Sequence, residues 1–503
     1  MLAAWQAIAQ ERPRTAIVAA SLLLRVSTAL VLAAAERVLP TWDAEVTTLA
    51  SAHALSARLE AFVRWDTVHY VQIALEGYER DQQTAFLPGL PALLRCGGQL
   101  VRRFGTGEWG GFTANDAVIA GIVATAIATT AAALALHRLT LQVFPKRLDL
   151  ASMAALLFLL APSRPTLHGV PYTEPFAAFF TFLGMLLFLR DRDWSAALVW
   201  AVGSAFRAQG ILLGFGFFGW KWILRKTWFD GPGSAGRHTG RLLVNAPVFA
   251  ALALLSASPF FAFEAYVYRR FCHSPDTARP WCTQGLGMSY GWVQREYWNS
   301  GFLRYWIPLQ IPNFLLAAPV LVMSFAASYS FFTANPDATW RSALPFLAPP
   351  RWVKRQSESK SVDPSGPSAP ATSPSRAGFL HRASPARAEH LVPFVILSTS
   401  TTLLLFFAHH VQIILRVCAT DPVLFWFAAE LVLRDENLTE GEQRGEAATK
   451  ANAIGAAVEQ AKATGGGATK SPQRWKWGRI WWKYCLVWGT LSIVLWAVFL
   501  PPA

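Results

Sequence analysis

The stretch AVIAGIVATAIATTAAALAL, residues 117–136, runs for twenty residues without a charged side chain. A helix of about 20 residues crosses the roughly 30 Å of hydrocarbon in a bilayer, so this stretch predicts a membrane-spanning helix. Four further stretches are similarly apolar, and they are Thr15–Ala35, Asn245–Ala265, Leu391–Ala408 and Ile480–Leu500. The chain is therefore predicted to be an all-α protein that crosses a lipid bilayer several times.

The composition agrees with a membrane protein. Of 503 residues, 53% are hydrophobic and only 15% are charged, whereas about a quarter of the residues in a soluble domain are charged. The net charge of +14 comes from Lys and Arg that lie between the apolar stretches. The positive-inside rule accounts for this charge, so the lipid bilayer is the expected partner and nucleic acid is not.

The connections that are rich in Lys and Arg also predict which loops face the cytosol. Placing them there gives about eleven spans, within a range of about 9–13. The first large non-cytosolic loop, expected to carry interfacial helices, is 36–116, and a second is 266–305. The predicted organisation is a transmembrane core at 1–350, 389–434 and 479–503, with a disordered cytosolic linker at 351–388 and a flexible cytosolic loop at 435–478.

Two apolar stretches allow more than one interpretation. The first could be a signal peptide, because basic residues precede it, but its length and Arg25 favour a retained helix in which Arg25 faces the bundle or a wet cavity. The stretch 194–224 is too long for one ordinary span. It predicts two half-spans that meet at 204–210, with Arg207 near the non-cytosolic side.

An acid lies among aromatic residues in RWDTVHYVQIALEGY, residues 64–78. Helical spacing would place Asp66, His69 and Tyr70 on one face of an amphipathic interfacial helix. A carboxylate that is partly desolvated by Trp65 and paired with His69 could act as a general base. The alternative is a helix edge that merely faces water.

Three other segments concentrate polar side chains near the same predicted membrane surface. HGVPYTEPF, residues 168–176, offers Tyr172 and Glu174, although Glu174 could simply interact with the dipole of the following helix. YWNSGFLRYWIPLQIPNF, residues 297–314, suits a sugar or a lipid phosphate, or else an interfacial belt. Its candidates are Trp298, Asn299, Arg304, Gln310 and Asn313, of which the two amides at 310 and 313 require a polar ligand or each other.

HHVQIILR, residues 409–416, would place His409, Gln412 and Arg416 on one helical face, with His410 pointing elsewhere. Arg416 could hold a lipid-linked phosphate. No metal is expected, because neighbouring histidines in a helix diverge and no Cys, Asp or Glu completes a ligand set. The DRD motif at 191–193 lies in a short connection without a soluble domain, so it is not expected to bind a sugar nucleotide.

Cys272 and Cys282 share a polar non-cytosolic loop, ten residues apart. If the non-cytosolic side is the lumen of the endoplasmic reticulum, where disulfides persist, the pair is predicted to form one, the alternative being two free thiols.

Taken together, these segments resemble the PIG-V family, the second mannosyltransferase of glycosylphosphatidylinositol (GPI) anchor assembly. The likeness rests on RWDTVHY, LEGY, AFLPGLP, PYTEPFAAFFTFLG, FRAQG, FC with PWC, YWNSGFLRYWIPLQIPNFLLAAP and HHVQIILR, in this order between residues 64 and 433. The resemblance implies a multi-pass enzyme of the endoplasmic reticulum membrane with a GT-C fold. It would transfer mannose in α-1,6 linkage from dolichol-phosphate-mannose to mannosyl-glucosaminyl-phosphatidylinositol, without a cofactor and in some relatives with a small accessory membrane subunit.

The resemblance also implies roles for the candidate residues. Asp66 would be the catalytic base of an inverting transfer, although its sequence neighbours include no second acid and Asp43 and Glu45 lie some twenty residues upstream. The other implied substrate contacts fall into three groups: Arg207, Arg304 and Arg416 for the leaving dolichol phosphate; Trp65, His69 and Trp298 for the sugar; Tyr172, Glu174, Asn299, Gln310 and Asn313 for hydroxyl groups.

Two other classes of protein remain open from the residues. A transporter or lipid scramblase would line a path across the membrane with Arg25, Arg207, Gln310 and Asn313. A non-catalytic subunit of a glycosylation complex would keep the fold without needing a base.

Overall fold

The computed structural model describes residues 2–40, 53–107, 110–229, 235–273, 279–343, 385–437 and 476–498. All regular structure in these ranges is helical, as predicted. The α-helices are α1 Leu2–Glu11, α2 Pro13–Val38, α3 Asp66–Glu76, α4 Gly89–Thr106, α5 Ala114–Val143, α6 Leu148–Leu159, α7 Glu174–Leu189, α8 Asp193–Phe206, α9 Gln209–Leu213, α10 Ala235–Phe271, α11 Ser289–Trp298, α12 Ile311–Ala334, α13 Pro336–Ala343, α14 Pro385–Ala408, α15 Ile414–Val417, α16 Pro422–Asn437 and α17 Trp477–Ala497. Short 3₁₀ turns lie at Glu60–Phe62, Asp81–Ala85, Pro280–Thr283, Pro308–Gln310, Val411–Ile413 and Cys418–Thr420, and π-helical segments at Pro165–Gly169 and Gly214–Phe229.

Six of the described helices are long and apolar enough to cross a membrane, and the bent pair Val411–Thr420 and Pro422–Asn437 would make a seventh span. All five apolar stretches predicted from the sequence fall within these helices or overlap them closely, and the sixth is Pro308–Ala334. The helices α6 and α7 are apolar but shorter, with 12 and 16 residues. The number of about eleven spans therefore stays a prediction.

The centre of the bundle is formed by helices that are apolar all round. Every residue of α6 from Leu150 to Leu159 is buried, which is what an all-apolar helix requires when other helices surround it. The helix α7 packs closely on α8 at Gly184, where a Cβ atom would lie 2.1 Å from Nε1 of Trp200. This contact sets the position of α7, whose first residue is Glu174.

The predicted break between two half-spans lies at Arg207. The helix α8 ends at Phe206, Arg207 is extended with a φ of −148°, and α9 begins at Gln209. Gly89, at the start of α4, packs against this break, since a Cβ there would lie 2.7 Å from the carbonyl oxygen of Ala205. The break turns the Arg207 side chain away from the helix and towards Glu174.

The first apolar helix is part of the bundle. The helix α2 packs against α5 and α17. The Arg25 guanidinium donates hydrogen bonds to the carbonyl oxygens of Ile122, at 3.3 Å, and Leu167, at 3.4 Å. Arg25 therefore faces the bundle, as predicted from the energetic cost of exposing a charged side chain to lipid.

Several predictions lie outside the described residues. They are most of the linker predicted at 351–388, most of the loop predicted at 435–478, and the acids Asp43 and Glu45.

Candidate active site

Asp66 is the first residue of α3, and the backbone turns sharply just before it. Trp65 has a φ of 52°, a conformation that costs a residue other than glycine about 1–3 kcal/mol. The rest of α3 is held firmly, because Val68, Val71 and Ile73 are buried in the apolar cluster of this end of the bundle. The turn and the packing together aim the carboxylate of Asp66 into a cavity.

This cavity has a volume of about 660 Å³, which lies in the range of small-molecule sites. Asp66, Tyr172, Arg207 and Arg416 line it, and they come from four separate regions of the chain. The remaining wall is largely apolar and aromatic. Such a combination of a few convergent polar groups with apolar walls is typical of a binding site.

Four charged side chains form a continuous network beside the cavity. Nη1 of Arg416 lies 3.0 Å from Oδ2 of Asp66, and its Nε lies 3.8 Å from Oε1 of Glu174. Nη1 of Arg207 lies 2.5 Å from the same glutamate oxygen. The Tyr172 hydroxyl contacts both Asp66 and Arg416. Two guanidinium groups thus balance two carboxylates.

The carboxylate of Asp66 is ionised in this setting. Burial raises its pKa, but the charge of Arg416, the hydrogen bond from Tyr172 and the charge of His69 outweigh burial and hold the pKa below its usual value. The Tyr172 hydroxyl stays protonated, since burial raises its pKa well above the usual value. At neutral pH the cavity therefore presents a charged acceptor, Asp66, whose side chain is 32% exposed.

No second carboxylate lies close to Asp66 in the sequence. In the structure Glu174 supplies one, because Arg416 contacts both acids. The side chain of Glu174 is 1% exposed, and within the described residues its Oε2 has no hydrogen-bond partner. Burying a carboxylate is costly unless it is paired, so the two arginines explain why Glu174 lies here. Helix-dipole stabilisation, the alternative drawn from the sequence, does not account for these two ion-pair partners.

The predicted aromatic residues divide between the cavity wall and its support. Trp65 and Trp298 line the cavity. The ring of His69 stacks on Phe86 with the centroids 4.8 Å apart, and Phe86 itself lines the cavity. His69 therefore packs against a residue of the cavity wall, and its charge also contributes to the lowered pKa of Asp66.

The two amides at 310 and 313 satisfy each other. Asn313 donates to Oε1 of Gln310 and, at 2.8 Å, to the hydroxyl of Tyr305, which donates in turn to Gln412 at 2.9 Å. Gln412 lines the cavity. The sequence predicted that these two amides would require either a polar ligand or each other. In the structure they pair with each other, so the pairing needs no ligand at Gln310 and Asn313.

Asn299 and Arg304 do not line the cavity. Asn299 ends α11 in a left-handed conformation with a φ of 49°, a role that Asn tolerates better than most residues. Arg304 is exposed and lies against Gly301. The described structure thus brings Arg207 and Arg416 together and leaves Arg304 outside.

The sequence predicted that His410 would point away from the helical face of His409, Gln412 and Arg416, but all four residues line the cavity. Both histidines line the cavity, and Nε2 of His410 contacts the carbonyl oxygen of Trp298. The reason is local, because α14 ends at Ala408 and residues 409–410 are not helical. Helical spacing therefore does not apply to them.

The loop after α10 is fixed by two links. Cys272 and Cys282 form a disulfide with Cα atoms 5.6 Å apart. Arg279, inside this loop, forms an ion pair of 3.2 Å with Asp81 of the first large loop. The two loops that flank the cavity are thereby joined.

The helix α11, which carries Trp298, is anchored by a buried acid. Glu264 of α10 accepts hydrogen bonds from the backbone amides of Ser289, at 2.7 Å, and Tyr290, at 3.2 Å. These are the first amides of α11, which have no partner within the helix.

We expect Glu264→Gln to lower the free energy of unfolding by about 1 kcal/mol, because it removes a charged acceptor from a helix N-terminus. Thermal denaturation of the purified chain checks this. The matched control is Glu296→Gln, an exposed acid on α11 itself. Equal melting temperatures for the two variants would contradict the anchoring role.

The sequence pattern of the family described as "Mannosyltransferase (PIG-V)" matches residues 16–503. The chain is 31% identical to "GPI mannosyltransferase 2" of Cryptococcus neoformans var. neoformans serotype D (strain JEC21 / ATCC MYA-565), covering 99% of this chain and 100% of the relative. It is 30% identical to "GPI alpha-1,6-mannosyltransferase 2" of Cricetulus griseus, over 75% and 74% of the two chains, and 28% identical to that of Homo sapiens, over 74% and 73%.

Among solved structures, the chain is similar to an Archaeoglobus fulgidus oligosaccharyltransferase, with a TM-score of 0.40, 13% identity, and coverage of 95% of this chain and 55% of the other. Because the family pattern extends over nearly the whole sequence and full-length relatives match, this chain belongs to the PIG-V mannosyltransferase family.

Proposed function

We propose that this protein transfers the second mannose, in α-1,6 linkage, from dolichol-phosphate-mannose to the mannosyl-glucosaminyl-(acyl)phosphatidylinositol intermediate of GPI-anchor synthesis. The reaction takes place at the luminal face of the endoplasmic reticulum membrane, on a GT-C-type fold with about eleven spans. The names of the relatives support the reaction and the linkage. The observation that carries the proposal for the site is the ionised Asp66 beside Arg416 in one cavity.

The transfer is a single displacement with inversion. The 6-hydroxyl oxygen of the acceptor mannose attacks the anomeric carbon of the donor as the bond from that carbon to the phosphate oxygen breaks. Asp66 takes the hydroxyl proton, and dolichyl phosphate leaves with one more negative charge than the donor carried. The protein and phosphate together keep the same total charge, since Asp66 becomes neutral as the phosphate gains its charge.

The two arginines of the network are suited to the leaving group. Guanidinium groups bind phosphate oxygens through paired N–H donors, and Arg207 and Arg416 line the cavity. A phosphate at Arg416 would compete with Asp66 for the same guanidinium. Asp66 would then lose part of the interaction that lowers its pKa and become a stronger base when the donor is bound.

The same proposal includes the contacts to the sugars, a reaction without a metal, and an accessory subunit. Trp65 and Trp298 offer flat apolar faces to the sugar ring, and Glu174 has an oxygen without a hydrogen-bond partner within the described residues. No metal cofactor is needed where arginines neutralise the phosphate. A small accessory membrane subunit remains part of the proposal for the cellular enzyme.

The experiment that tests the cellular function is deletion followed by lipid analysis. We expect cells that lack this chain to accumulate the GPI intermediate with one mannose, and the full chain to restore the two-mannose product. Accumulation of an intermediate with no mannose, or with two, would contradict the proposed step. If the protein were instead a scramblase, its deletion would make dolichol-phosphate-mannose inaccessible to luminal enzymes. The other luminal mannosyl transfers would then decrease as well.

A further inference from the structure

The C-terminal helix α17 ends against the segment of chain that leads into α3. Nε1 of Trp496 donates a hydrogen bond of 3.1 Å to the carbonyl oxygen of Ala61, upstream of Asp66. Nε of Arg64 donates one of 3.4 Å to the carbonyl oxygen of Ala497, the last residue of α17. The end of this helix therefore fixes the chain just before the sharp turn that aims Asp66 into the cavity.

The same tryptophan packs against Tyr172 on its other side. The two rings meet edge to face, with their centroids 5.7 Å apart and their planes at 80°. Both side chains are buried, and they share one apolar cluster with Leu32 of α2 and Ile493 of α17. Trp496 does not itself line the cavity. It joins the two parts of the chain that carry Asp66 and Tyr172 without reaching the substrate volume.

Tyr172 restrains one oxygen of the Asp66 carboxylate. Its hydroxyl and Nη1 of Arg416 both contact Oδ2 of Asp66. Within the described residues, the hydrogen bonds and the ion pair of Asp66 fall on Oδ2 and not on Oδ1. Two contacts to one oxygen restrict rotation of the carboxylate, and they leave Oδ1 to accept the proton of an attacking hydroxyl. Movement of Tyr172 would release one of these two restraints.

We propose that Trp496 is a positioning residue for mannose transfer, which holds Tyr172 against Oδ2 of Asp66 so that Oδ1 is directed at the acceptor hydroxyl. The inference rests on the proposed function, in which Asp66 is the base. Trp496 acts through its ring contact with Tyr172 and its hydrogen bond to Ala61. The C-terminal helix thereby contributes to transfer, although no described residue of α17 lines the cavity.

Loosening Tyr172 would change the pKa of Asp66 as well as its orientation. The charged or titratable groups around Asp66 are Arg416, Tyr172, His69, Tyr70 and Glu174. Burial raises the pKa of Asp66, whereas the charge of Arg416 and the hydrogen bond from Tyr172 lower it. A weaker hydrogen bond from Tyr172 therefore raises this pKa. Because the base must be ionised, the acidic limb of the pH profile moves to higher pH.

The test compares Trp496→Leu with Trp481→Leu, the same substitution at another buried tryptophan of α17. The two positions are separated by fifteen residues of helix, or about 22 Å. Transfer by the full chain in nanodiscs is measured as a function of pH. We expect Trp496→Leu to lower kcat about tenfold with an unchanged KM, and to move the acidic limb up by about half a pH unit. Trp496→Phe, which keeps an aromatic edge for Tyr172, is expected to recover most of kcat.

A second readout does not depend on turnover. The infrared band of the protonated Asp66 carboxyl group, identified by its loss in Asp66→Asn, is titrated in the same nanodiscs. Its midpoint is expected to rise in Trp496→Leu and to rise further in Tyr172→Phe, so the titration tests the inference even if the parent chain transfers no mannose and the proposed function fails. Trp496→Met replaces a leucine variant that does not fold. An unchanged pH profile and midpoint, or equal changes in Trp481→Leu, would overturn the proposal.

Discussion

Asp66→Asn is expected to lower kcat for mannose transfer by about 10³-fold, within the range of general-base catalysis. Asparagine has nearly the same shape and retains an oxygen towards Arg416 and Tyr172. It cannot accept the proton of the attacking hydroxyl, so the loss falls on the chemical step. The measurement is initial-rate kinetics with dolichol-phosphate-mannose and the one-mannose acceptor, together with binding of the donor.

The matched control is Asp81→Asn, the same substitution in the same large loop. Asp81 is also paired with an arginine, Arg279 at 3.2 Å, but it does not line the cavity. We expect it to keep kcat within a few-fold of the parent. Asp66→Asn with full activity, or with a loss matched by Asp81→Asn, would remove Asp66 from the role of base.

Arg416→Gln is expected to have the second large effect, because Arg416 links both carboxylates of the site. Losing a donor that stabilises the leaving phosphate lowers kcat by about 10²–10³-fold. The free energy of unfolding falls as well, by about 3 kcal/mol, since a buried ion pair is broken and Glu174 keeps only Arg207. Transfer rates and thermal denaturation measure the two consequences separately.

Two further variants separate phosphate binding from folding. Arg416→Lys keeps the charge but loses the paired donors, so it is expected to recover more of the stability than of the rate. Arg304→Gln removes an exposed arginine outside the cavity and is expected to leave transfer unchanged. A severe loss of transfer in Arg304→Gln, with normal transfer in Arg416→Gln, would reverse the assignment of the phosphate ligand.

The sequence predicted the elements of the fold better than their number. Long uncharged stretches such as 117–136 form helices because a helix satisfies all of its backbone hydrogen bonds within the segment, as lipid requires. Short apolar helices such as α6 have no such signature, since a buried helix of 12 residues resembles an interfacial one in sequence. The break at Arg207 was predicted because a charged residue interrupts a stretch too long for one span.

The acid of the site could be predicted, but its principal partners could not. Asp66 stands out among aromatic residues, whereas Arg416 lies 350 positions away, and no local pattern encodes that contact. The pairing of Glu174 with Arg207 was missed for the same reason, since each was a candidate by itself. The rule that buried carboxylates require nearby cations would have favoured pairing the candidate acids with the candidate arginines. It would not have identified which acid pairs with which arginine.

Errors arose where regular spacing was assumed. His410 was placed off the face of His409, Gln412 and Arg416 on the assumption of a helix through 409–416, but α14 ends at Ala408 and residues 409–410 are not helical. Asn299 was named for its amide and, through the resemblance, as a partner of a substrate hydroxyl; it ends α11 with a left-handed backbone and does not line the cavity, and its role stays a prediction. By contrast, the pairing of the amides at 310 and 313 could be predicted from the energetic cost of unpaired polar groups in an apolar run alone. The two amides do pair.

We propose that this cavity transfers mannose from a dolichol-linked donor with Asp66 as the base. The most direct test is a transfer assay with the purified full chain in nanodiscs, using dolichol-phosphate-mannose or GDP-mannose and the one-mannose acceptor. We predict a two-mannose product with an α-1,6 bond from the dolichol-linked donor only, and its loss in Asp66→Asn but not in Asp81→Asn. Product formed from GDP-mannose, a β-linked product, or equal product from the Asp66→Asn variant would contradict the claim.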